Sequence, residues 1–142
     1  MLVGLLAIIV AAVFAGAALY INLAEQAAWL ALDDRAMLIA WRHSFQRGFA
    51  LQAPLTVIGC LLGLVAWWLL GGWGFLIGAL AMIANVPWTL IVIMPVNNAL
   101  KATAPEAAGA ATRGLVVQWT RLHAVRTALG FVAALAFAGA LL

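Results

Sequence analysis

At 142 residues, 68% of them hydrophobic and 8% charged, with a mean hydropathy of +1.18, the chain falls outside the ordinary soluble domains, which carry about 25% charged residues. The formal net charge of +3 comes from a few Lys and Arg embedded in apolar sequence, with no basic cluster interleaved with aromatics. That pattern excludes a nucleic-acid partner and points instead to membrane orientation. The length fits one domain spanning 1–142, without a soluble domain beside it.

The first apolar run predicts a span over about Leu2–Leu23, continuing amphipathically through Glu25, Trp29 and Leu32. Ala15-Gly16-Ala17 resembles a signal-peptidase site, but no Lys or Arg precedes the run, so a retained helix is expected. Asp33-Asp34 form a stop and an N-cap for the next helix. Polar turns over Trp41–Arg47 lead into a second span, about Phe49–Leu70. Its single cysteine, Cys60, is a small packing residue with no second thiol to pair with. Gly71-Gly72 make a tight turn, and a third span covers about Trp73–Met94, interrupted by Pro87 and closed by Pro95. Residues 96–114 form the longest connection, broken by Pro105 and Gly109, before a fourth span over about Leu115–Leu142. Each run matches the roughly 20 residues that a helix needs to cross a hydrocarbon layer of about 30 Å. Lipid offers the backbone no partners, so the runs are helices. The fold class is all-α, a polytopic four-transmembrane-helix bundle.

Every charged side chain falls in the first connection, the third connection or the turns beside them. Arg35, Arg42, Arg47, Lys101, Arg113, Arg121 and Arg126 therefore share one side, which the positive-inside rule assigns to the cytoplasm of a bacterial inner membrane, with both termini outside. Arg42, Arg47, Arg113 and Arg121 read as headgroup anchors, and Trp67, Trp68 and Trp73 as an interfacial belt at the opposite end. Small residues four apart (Ala12 and Gly16, Gly59 and Gly63, Gly130 with Ala134 and Ala138) suggest close helix contacts. Asn85, beside the Pro87 kink, reads as a hydrogen-bonding residue to a neighbouring helix.

Helical rise places the unusual polar residues at one depth. From the outer ends of their spans, Asn22 lies about 30 Å along, Gln52 about 27 Å and Arg126 about 24 Å. Asn97 and Asn98 follow Pro95 at the same end. Trp119, His123 and Arg126 recur at i, i+4 and i+7; Trp41, Phe45, Gly48 and Gln52 form a second stripe, and Asn22 with Glu25 a third. An arginine just inside the hydrocarbon is costly without a partner, and Glu25 is the expected ionic partner of Arg126.

Several chemistries are excluded. Ser44 is the only serine and has no visible base–acid pair, no Gly-rich phosphate loop exists, and two glutamates cannot build a carboxylate-bridged dimetal site. Acid–base chemistry remains: a histidine that accepts a proton, an arginine that stabilises the resulting oxyanion, and tryptophan faces for a planar ligand.

These segments, namely Asn22 and Glu25, Trp41 through Arg47, "NVPWTLIVIMPVNNAL" from Asn85 to Leu100, and "WTRLHAVR" from Trp119 to Arg126, resemble the anthrone-oxygenase-like family of small four-helix membrane proteins. Some fungal members are similar to enzymes that oxidise anthrones to anthraquinones with dioxygen and no established cofactor. The resemblance carries over to Asn22, Glu25, Trp88, Pro95, Asn97, Trp119, His123 and Arg126; His43 has no counterpart in it. It implies a cofactor-independent oxygenase acting on a small hydroxylated aromatic or quinone-like substrate. In that reading His123 removes a proton, Arg126, Asn22 and Asn97 hold the enolate oxygen, Glu25 orients the cationic groups, and Trp119 stacks on the ring. Trp41, Gln52 and Trp88 complete the candidate binding residues. No resident cofactor is expected, with dioxygen as co-substrate, and the expected partners are the lipid bilayer and the substrate. Two other classes stay open: a non-enzymatic ligand-binding or assembly subunit whose polar ring is structural, and a redox protein with haem between His43 and His123 or one metal on Glu25, His43 and His123.

Overall fold

The computed structural model describes all residues, Met1–Leu142. Four long apolar helices make up nearly the whole chain: α1 (Leu2–Leu30), α2 (Asp34–Leu70), α3 (Trp73–Ala102) and α4 (Ala110–Leu141). Each is long and apolar enough to cross a membrane. They run antiparallel in a ring in which α1 packs on α2 and α4, and α3 on α2 and α4. The termini and the Gly71-Gly72 turn share one end, and the short connections after α1 and α3 share the other.

Three boundaries differ from the sequence expectation. The α2 helix starts at Asp34 rather than near Phe49, so the polar stretch Trp41–Arg47 is helical. Asp33 caps it, its carboxylate accepting from the Ala36 amide at 2.9 Å. At about 1.5 Å per residue, a helix of 37 residues outruns the hydrocarbon, and its charged start, residues 34–47, emerges from it. The α3 helix passes through Pro95 and ends at Ala102. A π-helical turn over Trp88–Ile93 lies between Pro87 and Pro95, and the wider turn accommodates the rings and missing N–H groups that break a regular helix. The α4 helix starts at Ala110, so the long connection shrinks to residues 103–109. A second π turn, Ile21–Glu25, interrupts α1.

The turn between α2 and α3 depends on glycine: Gly71 and Gly72 have φ of 75° and 88°, conformations that a Cβ opposes. Beyond it the helices touch closely. A Cβ at Gly63 would lie 2.7 Å from the Phe137 ring, and one at Gly130 would lie 2.8 Å from Phe14. The expected Ala12–Gly16 contact does not form. Both residues are exposed, and α1 turns Gly4, Ala7, Ala11, Ala15 and Ala18 inward instead.

Two arginines that read as headgroup anchors are structural. Arg42 reaches from α2 to the end of α3, donating to the carbonyls of Leu100 (3.2 Å), Lys101 (3.0 Å) and Thr103. Arg113 pairs with Asp34 at 2.6 Å and donates to the Leu30 and Leu32 carbonyls at 2.9 and 2.7 Å. Both satisfy carbonyls that a helix end leaves without partners. Trp67 and Trp73 sit together at the glycine turn with centroids 6.5 Å apart, beside exposed Trp68, as a belt requires.

Candidate functional site

At the end of the bundle opposite the glycine turn, the four helices bring polar groups together. The α1 π turn presents Asn22 to α4. Its Nδ2 donates to the Thr120 carbonyl at 3.0 Å, and its Oδ1 accepts from the Thr127 hydroxyl at 2.7 Å. Carbonyls only accept, so the Thr120 contact settles which end of the amide is nitrogen. The same Oδ1 lies 3.0 Å from His123 Nδ1. Because Oδ1 can only accept, His123 carries a proton on Nδ1, and in the neutral imidazole Nε2 is the lone-pair base. Thr120 and Thr127 lie on the His123 face of α4 at i−3 and i+4. Their spacing is present in the sequence, but nothing there distinguishes them from the other threonines of the chain.

Trp119 holds the imidazole from its other side, stacked at 4.7 Å and 19°. The indole is fixed in turn. Its Nε1 donates to Asn97 Oδ1 at 2.8 Å, Trp41 meets it edge-on at 6.0 Å, and Trp29 packs at 5.9 Å. Trp88 ties α3 to α4 by donating to the Leu122 carbonyl at 3.0 Å. Trp41 and Trp88 therefore brace the site and do not line it.

Arg126, one turn beyond His123 on α4, is 7% exposed. Its guanidinium lies over the Phe14 ring at 5.5 Å, and it makes no ion pair: the two salt bridges in the molecule are Arg35–Glu106 and Arg113–Asp34. The expected Glu25–Arg126 pair does not form. The π turn that aims Asn22 at α4 places Glu25 on a neighbouring cleft with Tyr20, His43 and Arg47. Glu25, His43 and His123 are likewise not gathered as metal ligands, and no cluster of three His, Cys, Asp or Glu side chains exists.

A small cavity of about 20 Å³ collects what is left over, with His123, Arg126, Asn97, Gln52 and Trp119 among its walls. Several of the polar groups on it have no partner. Arg126 Nε, Asn97 Nδ2 and both amide atoms of Gln52 are buried and make no hydrogen bond. Native proteins leave few such atoms, each costing about 1–3 kcal/mol. Three unpaired donors beside a base with a free lone pair are an arrangement suited to a developing oxyanion. The cavity has room for about one water-sized molecule, so an aromatic ring does not fit inside it. Two larger clefts adjoin it. The Glu25–His43–Arg47 cleft, about 590 Å³, meets it at Ile21, Ser44, Gly48 and Gln52. An apolar groove between α2 and α3, about 160 Å³, meets it at Phe49, Thr89 and Arg126.

Four apolar helices arranged in this way define an integral membrane protein with a polar site at one end. The sequence profile of the anthrone oxygenase family matches residues 41–136, and the chain belongs to that family. The matched stretch contains Trp41, Gln52, Trp88, Asn97, Trp119, His123 and Arg126, and leaves out Asn22 and Glu25 on α1. No curated protein and no solved structure matches the chain.

Proposed function

We propose that the protein is a cofactor-independent oxygenase of a small hydroxylated aromatic carbon acid, working at the cytoplasmic edge of a bacterial inner membrane. The observation that carries this reading is the set of unpartnered buried donors on Arg126, Asn97 and Gln52 around one cavity that also holds His123. With the body of the substrate in an adjoining cleft and only its reacting edge at the cavity, His123 Nε2 takes the proton from the activated carbon. The oxygen of the enolate receives hydrogen bonds from Arg126, Asn97 and Gln52, which lowers the cost of its charge. The enolate carbon then reacts with dioxygen. For an anthrone, the ring CH₂ becomes a carbonyl with loss of four electrons, and dioxygen accepts those four. One of its atoms becomes the new carbonyl oxygen, and the other leaves as water with the two protons.

The roles differ from those the resemblance implies. Asn22 is tied to Thr120, Thr127 and His123, so in this reading it sets the His123 tautomer and is assigned no contact to the enolate. Trp119 gives one face to His123 and orients the base. Glu25 has no contact through which to orient Arg126. The concentration of Arg35, Arg42, Arg47 and Lys101 at this end supports its cytoplasmic position by the positive-inside rule.

A structural reading draws on Asn22, Trp88 and Trp119, whose polar atoms bridge helices. It leaves Gln52 and the Arg126 charge unexplained, because helix packing gains nothing from buried groups without partners. The two readings separate on His123→Ala in purified protein, followed by dioxygen uptake with anthrone above the protein-free rate. Oxidation should fall about 10²- to 10⁴-fold with thermal stability nearly unchanged. Undiminished oxidation would refute the assignment, and a collapse in stability would support the structural role.

A further inference from the structure

The groove between α2 and α3 contains a feature that the oxygenase chemistry does not use. Asn85 on α3 is 1% exposed and lines the groove with Phe49, Ala53, Val57, Val86 and Leu90. Its place beside Pro87 suggests a bond to a neighbouring helix. Instead its Nδ2 donates within α3, to the carbonyls of Ala81 and Met82, both at 3.1 Å. Those contacts again decide which end of the amide is nitrogen, and Oδ1 is left buried without a partner. Arg126, which also lines this groove, offers an unpartnered buried Nε–H. The groove thus holds a buried free acceptor and a buried free donor, with the Thr89 hydroxyl beside them, between apolar walls.

Its position is equally informative. The α2 helix packs along Trp73–Pro87, but parts from α3 at the π turn Trp88–Ile93. The rim residues Phe49, Val57 and Leu90 are 46%, 45% and 58% exposed, and they lie within spans that face hydrocarbon. The opening is therefore lateral, towards lipid. Its volume of about 160 Å³ is close to that of an apolar cavity that takes up one benzene ring.

We infer that this groove is a lipid-side binding subsite through which a planar substrate dissolved in the bilayer reaches the cavity, with Asn85 as its specificity residue. The occupant presents an O–H to Asn85 Oδ1 and a carbonyl or phenolate oxygen to Arg126 Nε, while an aromatic ring fills the space between Ala53, Val57 and Leu90. This inference rests on the oxygenase reading for the identity of the ligand, but not for its test. A ligand without the hydroxyl leaves Asn85 Oδ1 buried and unpaired, which is how a polar site rejects the wrong molecule.

The test is equilibrium binding of 2-hydroxyanthraquinone, whose hydroxyl cannot bond its own carbonyl, and unsubstituted anthraquinone to the full-length protein in lipid nanodiscs, corrected against protein-free bilayers. The native protein should prefer the hydroxylated compound about tenfold, the scale of one hydrogen bond. Asn85→Leu should abolish the preference and retain affinity for the unsubstituted compound. Val57→Phe, at a lipid-exposed rim position where folding is not at stake, should weaken both ligands. Equal preference in native protein and Asn85→Leu, or full affinity in Val57→Phe, would overturn the subsite. So would finding that a tightly held acyl chain, extracted from native protein but not from Val57→Phe, fills the groove. Because binding is read without turnover, His123→Ala can lose oxidation while the groove still binds, and the two proposals fail separately.

Discussion

At the Gly71 end of the bundle the helices meet through alanine, glycine and a few large rings. Phe75 and Phe137 are tilted against one another at 6.3 Å, and Gly63 and Gly78 give Phe137 its place. At the opposite end the same four helices are held by tryptophans, amide bridges and arginine caps, and two π turns break their regularity. Both ends are buried, but only the second leaves Arg126, Asn97 and Gln52 with polar atoms lacking partners. In lipid no hydrophobic force favours one helix face over another, so close packing of small residues supplies the association at the first end. That frees the second end to carry groups that cost stability. π turns, which recur at functional positions in helices, are how it aims Asn22 and opens α3 away from α2.

This division predicts opposite outcomes for substitutions at the two ends. After His123→Ala, the largest effect should come from Arg126→Met, which removes a buried charge without an ion-pair partner. Oxidation of anthrone should fall about 10²- to 10³-fold, as when one oxyanion donor is lost, while thermal unfolding shows no loss of stability. A marked drop in melting temperature would erase the contrast. Next is Gly74→Ala at the tight end, where a Cβ would lie 2.6 Å from the Ala136 carbonyl oxygen. It should destabilise the bundle by about 1–3 kcal/mol in denaturant titration and leave the activity of the folded fraction intact. The smallest effect is expected from Glu106→Gln in the exposed Arg35–Glu106 pair, with side chains 63% and 69% exposed. Solvent screening limits it to within about 0.5 kcal/mol by the same titration.

Much of the site is legible in the sequence. The i, i+4, i+7 spacing of Trp119, His123 and Arg126 brings them to one face, and helical rise puts Asn97 and Gln52 at their depth. What spacing cannot supply is pairing. Asn22 and Glu25 are three residues apart and read as one stripe on a regular helix. The π turn changes their relation, so that Asn22 reaches His123 while Glu25 turns to another cleft. Asn85 differs from expectation for a related reason: sequence shows that an amide is present, but not that its own helix engages the nitrogen and leaves the oxygen free. Arg42 and Arg113 resemble lipid anchors because their carbonyl and carboxylate partners lie roughly 60 to 80 residues away in sequence.

Hydropathy and charge placement suffice to specify the four apolar helices, their antiparallel order and the collection of all the charge at one end. Both act locally along the chain, and lipid permits no other backbone. Which polar atoms are engaged and which are left open depends on the packed bundle, because a hydrogen bond forms only where two helices bring donor and acceptor within about 3 Å. Packing also fixes the size of the space at His123. That cavity takes a molecule no larger than a water, which leaves the adjoining clefts to hold the body of any substrate.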